Sequence, residues 1–334
     1  MRGYWRTALL VAGVVVAALE LRGHLPSLSE TWLALRTAGP GWLAAAAGLS
    51  VVAMVAFSEQ QRHLLAAFAV RMGAGASLGL TYTRSAMAAA LPAGSAVSAG
   101  YAFGRFRAHG APRAVAAAVM LLSGAASLVG LALLYAGNVL ILARPSVTTL
   151  GVVLCAIVLA VLIGLHARTV RRTGRRAAVV PEVSEEAGRI ARMRATVRHT
   201  LVLAGTVPTG RWLLVIAMAV LNWLADVVCL ICAVRAAGLE VPATTIATGY
   251  LVAQLIRQIP ITPGGIGVIE ASLLVALTAA GAPAAPAAAA ILLYRILSCW
   301  MDLPIGLACW RSSKRRHAPA ATSVPGTVRA TQAA

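Results

Sequence analysis

Gln258-Ile-Pro-Ile-Thr-Pro-Gly-Gly-Ile-Gly-Val-Ile-Glu270 is unlike any ordinary transmembrane helix. It places two prolines, three glycines and a carboxylate inside a long apolar region between Ala243 and Gly281. A lipid-facing helix disfavours these residues, because proline removes a backbone donor and an ionised glutamate at bilayer depth costs roughly 3 kcal/mol. Irregular backbone at that depth is stable only where protein buries it or a watery cavity lines it. The stretch therefore indicates a functional site within a membrane protein.

The composition of the rest of the chain is also that of a membrane protein. Of the 334 residues, 60% are hydrophobic and 12% are charged, whereas soluble proteins carry about 25% charged residues. The formal net charge of +19 comes almost wholly from arginine, since Lys314 is the only lysine. The arginine clusters lie between apolar runs, which favours positive-inside topology and contact with anionic lipid head groups over nucleic-acid binding. We therefore predict an all-α polytopic membrane protein that binds no nucleic acid.

Six apolar segments are long enough to cross a bilayer, which takes about 20 residues. They are Tyr4–Leu21, Gly41–Ser58, Ala114–Leu142, Val147–His166, Trp212–Val234 and Ala284–Trp310. Two further apolar regions are interrupted, Ala76–Phe103 at Leu91-Pro92-Ala93-Gly94 and Ala243–Ala280 at Pro260–Gly265. All basic clusters lie inside only if the first broken region enters and leaves from the cytoplasmic side and the second dips in from outside. Each would then be a re-entrant pair of half-helices. Ordinary short spans joined by loops are the alternative.

Two broken segments of opposite orientation resemble the inverted-repeat plan of transporters. The predicted division is a first membrane half, a basic cytoplasmic linker, a second membrane half and a basic disordered tail, at residues 1–166, 167–211, 212–310 and 311–334. Arg2 and Arg6 before the first apolar run resemble a signal peptide, but no small-x-small cleavage site follows before Glu20-Leu21-Arg22, which favours an uncleaved first span. We expect a multi-pass protein of the bacterial cytoplasmic membrane with both termini in the cytoplasm.

The linker has the pattern of an amphipathic helix. Ser184 can cap it, and an apolar face follows, formed by Ile190, Met193, Val197 and Leu201. Arginines surround that face, which suits a helix lying on an anionic lipid surface. A solvated basic loop is the alternative interpretation.

Both broken regions contain signals for a helix start. Thr262 can act as N-cap before Pro263, and Gly264 and Gly265 then expose backbone N–H groups. A helix N-terminus carries partial positive charge and unpaired donors, so it can hold a phosphate. Gly94-Ser95 offers the same arrangement, with Ser95 capping the arm 96–103. The alternative is that the breaks only permit kinking and close helix packing.

Ionisable residues also occur within the apolar segments: Arg84, Asp226, Arg257, Glu270, Arg295 and Asp302. Facing lipid they would together cost roughly 15–20 kcal/mol, so they must pair or line a cavity. The spacing of Asn222 from Asp226, and of Arg295 from Asp302, places each pair on one helical face. An arginine among such groups can bind a lipid phosphate through two hydrogen bonds. Ion pairs that lock the helix bundle are the alternative.

The sequence gives little support for an enzyme. Its only aspartates are Asp226 and Asp302, its six histidines are isolated, and it has no P-loop. Cys229 and Cys232 form a C-x-x-C inside a span without a second pair at metal-binding spacing, which favours packing residues. We predict no catalytic residue, no metal and no cofactor.

Tyr250-Leu-Val-Ala-Gln254, the Thr262–Glu270 run and Leu292-Leu-Tyr-Arg295 together resemble the membrane region of lysylphosphatidylglycerol synthases, the flippase-like domain family. The Leu91-Pro92 break, with Gly100 and Arg105, is similar to an earlier motif of that family, and the resemblance covers nearly the whole chain. Two departures stand out. Leu122-Ser123-Gly124 occupies the region of an acidic-arginine pair, and only 24 residues follow Trp310, too few for an aminoacyl-transferase domain. The resemblance therefore implies lipid translocation and argues against lysine transfer.

We thus expect a protein that binds and translocates an anionic phospholipid or a polyprenyl-phosphate-linked lipid. The head-group residues would be Thr262, Gly264, Gly265, Gly94, Ser95, Arg84, Arg257 and Arg295, and the charge-coupling residues Glu270, Asp226 and Asp302. Alternatives are a membrane-embedded glycosyltransferase or its accessory subunit, and a structural partner in cell-envelope assembly. Homo-oligomerisation and contact with anionic lipids at the cytoplasmic face are further expectations.

Overall fold

The computed structural model describes residues 32–33, 36–91, 93–142, 189–257 and 267–315. Within these ranges the regular structure is helical and contains no strand, which confirms the predicted all-α class. The predicted spans Tyr4–Leu21 and Val147–His166 lie outside the described residues, as do the break Pro260–Gly265, the cap at Ser184 and most of the tail.

The helices are numbered here in chain order. They are α1 (Pro40–Ala67), α2 (Ala74–Ala90), α3 (Gly94–Ala108), α4 (Arg113–Leu142), α5 (Arg189–Thr206), α6 (Thr209–Ala236), α7 (Ala243–Arg257), α8 (Val268–Ala279), α9 (Ala284–Arg295) and α10 (Asp302–Arg315). A π-helical segment, Ile296–Trp300, joins α9 to α10.

Within the described ranges, four helices are long and apolar enough to cross a membrane. They span Pro40–Ala67, Arg113–Leu142, Thr209–Ala236 and Ala284–Ser313, and correspond to four of the six predicted spans. Their centre is α6, which packs along α1 and also contacts α4 and α9. Large apolar side chains remain exposed on these helices, including Val51 on α1, Leu128 on α4 and Leu221 on α6. Such faces suit contact with lipid tails.

The two broken regions form helical hairpins. In the first, the beginning of α2 and the end of α3 lie together, since Gly75 and Arg105 line a common cavity. In the second, the first half of α7 meets the end of α8, where Gly249 approaches Ala276. Each hairpin therefore consists of two antiparallel arms, about 18–26 Å long at 1.5 Å per residue.

The hairpins open toward opposite ends of the bundle. The first shares a buried cluster with the end of α1 and the start of α4, which includes Leu65, Phe106 and Val119. The second shares a cluster with the start of α1 and the ends of α4 and α6, which includes Ala46 and Leu277. We call the first of these the basic end, because it carries Arg62, Arg71, Arg105, Arg107, Arg113, Arg211 and Arg311. The described arms of the two hairpins are thus opposed in orientation, and their re-entrant path in the membrane stays a prediction.

The linker between the halves contains the predicted helix. α5 covers Arg189–Thr206 and packs against α4. Its residues Val197 and Leu201 are exposed, although they are apolar and one helical turn apart. An apolar stripe without a protein partner is typical of a helix at a membrane surface.

The π-helical segment changes the register of the last span. Met301 donates its backbone N–H to the Ile296 oxygen over 2.8 Å, the wider spacing of a π turn. The Ser50 hydroxyl of α1 donates to the Leu297 oxygen over 2.7 Å and so satisfies an acceptor within that turn. The extra residue rotates the following helix by roughly 100° relative to a continuous α-helix.

The prediction that Arg295 and Asp302 share a face is therefore wrong. Arg295 bonds to α8 and Asp302 to α2.

Candidate functional site

A cavity of about 340 Å³ lies beside the first break and the end of α7. Ala88 near the end of α2 and Ser98 near the start of α3 line it, and so does Arg257, the last residue of α7. Residues of α1, α4, α6, α9 and the π-helical segment complete the wall. The volume equals the liquid share of roughly eleven waters, enough for a small polar ligand or a lipid head group.

The structure brings three predicted head-group arginines together around this cavity. They are Arg84 of α2, Arg257 at the end of α7 and Arg295 at the end of α9. Arg295 is 4% exposed, whereas Arg257 is exposed. Residues separated by up to 211 positions, as 84 and 295 are, thus contribute cations to one site.

Two of these arginines have buried donors without a hydrogen-bond partner among the described residues. They are the Nε atom of Arg84 and the Nη2 atom of Arg295. The Arg84 guanidinium also lies 5.7 Å from the centre of the Phe57 ring. A buried donor without a partner is costly, and a guanidinium fits an anionic oxygen pair especially well. The arrangement is therefore suited to hold an anion.

Glu270 links the second hairpin to α9. Its Oε1 atom accepts from Arg295 Nε over 2.6 Å, and its Oε2 atom accepts from the Gly267 backbone N–H over 2.7 Å. Gly267 has a φ of +86°, which favours glycine, and it immediately precedes α8. The carboxylate thus caps one helix and holds an arginine of another. The bond from Arg295 supports the prediction that Glu270 holds an arginine. A role of Glu270 in proton coupling stays a prediction.

Asp226 of α6 is the only carboxylate that lines the cavity among the described residues. Its Oδ2 atom accepts from the Tyr250 hydroxyl over 2.6 Å and from the Tyr294 hydroxyl over 3.1 Å. Asn222, four residues earlier, lines the same cavity, as predicted from the helical spacing. Two buried tyrosines therefore tie α7 and α9 to α6 through one carboxylate.

We expect Tyr250→Phe to destabilise the protein by about 2 kcal/mol, because it removes a hydrogen bond to a charged group. Tyr294→Phe removes the longer bond and should cost less. Tyr101→Phe is the matched control, since its hydroxyl lies 3.3 Å from the neutral Ser313 hydroxyl. Thermal unfolding midpoints in detergent should be lowest for Tyr250→Phe, higher for Tyr294→Phe and highest for Tyr101→Phe. A Tyr250→Phe midpoint equal to that of the control would contradict the assignment.

Asp302 lies apart from the cavity wall. It is 1% exposed, begins α10 and accepts from the Ser85 hydroxyl over 2.5 Å. A carboxylate in the first turn is stabilised by the helix dipole. Asp302 therefore fastens α10 to α2 at Ser85, the residue that follows Arg84. A role of Asp302 in charge coupling stays a prediction.

The predicted capping role of Ser95 is wrong. α3 already begins at Gly94, and the N-cap is Ala93, whose φ of 53° is left-handed. Ser95 is exposed and does not line the cavity, whereas Ser98, one turn later, does. A Cβ atom at Gly94 would lie 2.3 Å from the Met87 carbonyl oxygen, so glycine is required for the tight turn. Thr262, Gly264 and Gly265 lie outside the described residues.

Sequence reasoning missed the hydroxyl groups of the cavity. Those among its lining side chains are Ser50, Thr81, Ser85, Ser98, Ser127, Ser298 and Tyr294. Single serines and threonines in apolar helices are common at helix contacts, so their positions alone do not distinguish packing from a site. Only the occurrence of these hydroxyl residues on the same helices as the buried arginines could have indicated a polar cavity.

Comparison with known proteins places the chain in a family. The family model described as Lysylphosphatidylglycerol synthase TM region matches residues 6–306. The chain belongs to this family. The matched range includes every residue of the cavity wall and confirms the resemblance seen in the sequence motifs. It also supports a multi-pass membrane protein of a lipid-related family.

A second similarity covers a smaller part of the chain. It is 30% identical over 93 residues to a UPF0104 membrane protein of Methanothermobacter thermautotrophicus. The match spans 28% of this chain and 28% of that protein. It therefore adds a membrane protein as a relative and transfers no activity.

Proposed function

We propose that this protein binds the anionic head group of a lipid in the cavity between the hairpins and moves that lipid across the bacterial cytoplasmic membrane. One observation carries the proposal. Among the described residues, three arginines and one carboxylate line the cavity, and two of the arginines have buried donors without a described protein partner. Phosphate is the anion that a lipid head group brings to such guanidinium groups.

The size of the cavity and its surroundings suit a head group with its acyl chains left outside. A volume of about 340 Å³ cannot hold two lipid tails. Exposed apolar side chains on the second hairpin, Val252, Leu255 and Val275, offer a surface for those tails. Arg257 is exposed and also lines the cavity, so it connects the interior to the surface of the bundle.

The opposed hairpins support a mechanism of alternating exposure. The two hairpins share buried clusters with opposite ends of the bundle, so displacement of either hairpin would open the cavity toward a different end. Transporters with inverted repeats work by such movements around a central site. The Glu270–Arg295 pair would transmit head-group binding to the second hairpin, because it joins α8 to α9.

We place the basic end in the cytoplasm. Its arginines follow the positive-inside rule and would contact anionic lipid heads at that surface. The first hairpin then opens toward the cytoplasm and the second toward the outside. Lipids of the inner leaflet would reach the cavity past the first hairpin.

The test is lipid transfer in proteoliposomes that contain a fluorescent phosphatidylglycerol. Wild-type protein should expose inner-leaflet probe to an added quencher, without nucleotide or sugar donor. The Arg84→Gln, Arg257→Gln double variant should transfer lipid at least about tenfold more slowly, since two charge-assisted contacts are lost. Arg113→Gln, an exposed arginine at the basic end, is the control and should resemble wild type.

Two results would contradict the proposal. One is wild-type protein that transfers no lipid while folded. The other is equal transfer by the double variant and by Arg113→Gln. Product formation that depends on an added sugar donor would instead favour a glycosyltransferase.

A further inference from the structure

We propose that a second cavity, at the basic end of the bundle, binds a soluble phosphate monoester. This basic-end cavity has a volume of about 260 Å³ and lies between α2, α3 and α10. Its lining residues include Gly75 at the start of α2, Arg105 near the end of α3 and Ser313 near the end of α10. None of them belongs to the lipid cavity, as we call the one that Arg84 and Arg295 line. The two sites are therefore separate.

Arg105 supplies a cation that no described residue uses. Its guanidinium forms no hydrogen bond or ion pair with any described residue. No carboxylate lines the cavity in the described part of the chain, and α2 has no acidic residue in the first turn that borders it. A guanidinium without an acidic partner attracts an anion, and its planar set of donors fits two oxygens of a phosphate.

Tyr101 offers a second donor on the same face of α3, since it lies one turn before Arg105. Its hydroxyl is 3.3 Å from the Ser313 hydroxyl, longer than the roughly 2.7–2.8 Å that is usual between two hydroxyls. Ser313 donates its own proton to the Trp310 oxygen over 2.8 Å, so the tyrosine proton makes the long contact. An anionic oxygen in the cavity would accept that proton in a shorter and stronger bond.

The basic-end cavity lies where α3 and α10 separate. Both helices pack against α2, and Thr83 of α2 donates to the Gly306 oxygen of α10 over 3.3 Å. α3 reaches α10 through the long contact between Tyr101 and Ser313. A ligand in the cavity would therefore bridge two helices without displacing a tight contact between them.

The volume of the cavity favours a phosphate monoester over a bare phosphate. About 260 Å³ equals the liquid share of roughly nine waters. A phosphate takes the space of about two or three of them, which leaves room for a small organic group. The hydroxyls of Ser312 and Ser313 on the wall can accept or donate to such a group.

The surroundings of the cavity favour a soluble ligand over a lipid. No large apolar side chain is exposed along the described stretches that contain its lining residues, 75–83, 101–105 and 309–313. The second hairpin, by contrast, exposes valine and leucine side chains. Acyl chains would thus find little apolar surface at the basic-end cavity. With the basic end placed in the cytoplasm, as proposed above, the ligand comes from the cytoplasm.

Cys309 lines the basic-end cavity and allows binding to be measured at this site alone. The experiment follows alkylation of the cysteines of the purified full chain by iodoacetamide, in detergent, with mass spectrometry of the peptides. Glycerol 3-phosphate at about 10 mM should slow alkylation of Cys309 by about threefold or more, because protection increases with the ratio of ligand concentration to Kd. Cys299 lines the lipid cavity and reports on that site in the same sample. Glycerol with sodium chloride at equal ionic strength should not protect Cys309.

Variants of α3 test the assigned residues. Arg105→Gln should weaken the binding of glycerol 3-phosphate at least about tenfold, because it removes the charge of the site. Tyr101→Phe should weaken it to a smaller extent. Arg107→Gln is the matched control, since Arg107 is exposed on the same helix and does not line the cavity. A second measurement is the unfolding midpoint, which glycerol 3-phosphate should raise more in wild type than in Arg105→Gln.

Several results would overturn the inference. They are an unprotected Cys309 with an unchanged midpoint, protection that Arg105→Gln retains, and equal protection by sodium acetate, which would indicate screening of charge in general. Protection by short-chain phosphatidic acid but not by glycerol 3-phosphate would overturn the assignment of a soluble ligand.

One further variant keeps this inference distinct from the proposed function. The Arg84→Gln, Arg257→Gln double variant should retain protection of Cys309, because neither arginine lines the basic-end cavity. Loss of protection in that variant would overturn the separate site. Failure of lipid transfer with Cys309 still protected would overturn the proposed function and support the phosphate site.

Discussion

Arg295→Ala is expected to reduce lipid transfer to less than about a tenth of the wild-type rate, because it removes the charge-assisted contact that we propose Arg295 makes to the phosphate. It should also destabilise the fold, since it leaves Glu270 without its cation. Breaking a buried ion pair costs 3–5 kcal/mol in general. The Glu270 side chain is 25% exposed, so we expect about 3 kcal/mol or somewhat less. Transfer in proteoliposomes and unfolding midpoints in detergent measure the two effects.

Companion variants separate the two roles of this arginine. Adding Glu270→Gln to Arg295→Ala should recover part of the stability, because an uncharged amide replaces the orphaned carboxylate, but it should not recover transfer. Arg295→Lys keeps the charge and loses the fork of donors, so it should retain intermediate activity. Normal transfer by the Glu270→Gln, Arg295→Ala double variant would show that the cavity arginine is not part of the transport site.

Gly306→Ala is expected to have the largest effect on folding. An added Cβ atom would lie 2.4 Å from the Tyr82 carbonyl oxygen and 2.6 Å from the Ala86 Cβ atom. The first obstacle is backbone of α2, so no side-chain rotation can relieve it. Overpacking of this kind costs about 3 kcal/mol. It should also displace Arg84 and slow lipid transfer, because that arginine belongs to the same helix.

Gly79→Ala is the matched control at the same helix contact. Its added Cβ atom would lie 3.6 Å from the Cys309 Cβ atom, an ordinary van der Waals distance. It should match wild type in the fraction of protein that remains monodisperse after heating, as measured by fluorescence size-exclusion chromatography. Equal heat resistance of Gly306→Ala and Gly79→Ala would refute the close approach of α2 and α10.

The architecture could largely be predicted from hydropathy and from proline and glycine positions. The helices α1, α4 and α6 contain three predicted spans, and the first broken region indeed folds as two arms. The convergence of Arg84, Arg257 and Arg295 could be anticipated as a group, because each is too costly to face lipid alone. All three arginines line one cavity in the structure, as this cost leads one to expect.

Individual partners could not be predicted, because they depend on contacts between distant helices. Arg295 pairs with Glu270, 25 positions away, and Asp302 with Ser85, 217 positions away. Helical spacing alone also misplaced Asp302, since it assumes an unbroken α-helix. The Ser95 prediction failed for a local reason. The left-handed Ala93 lets the helix begin at Gly94, two residues earlier than a cap at Ser95 requires.

The π-helical turn after Arg295 has a consequence for comparing this chain with its relatives. A π turn arises when one residue is inserted into an α-helix and accommodated without unwinding it. A relative that lacks the insertion would align correctly through Arg295 and be offset by one position from Asp302 onward. An alignment of the sequences without a gap would then equate residues of α10 whose side chains face different neighbours in the two proteins. Superposition of backbones, with Ser50 and its Leu297 acceptor as the marker of the wide turn, avoids that error.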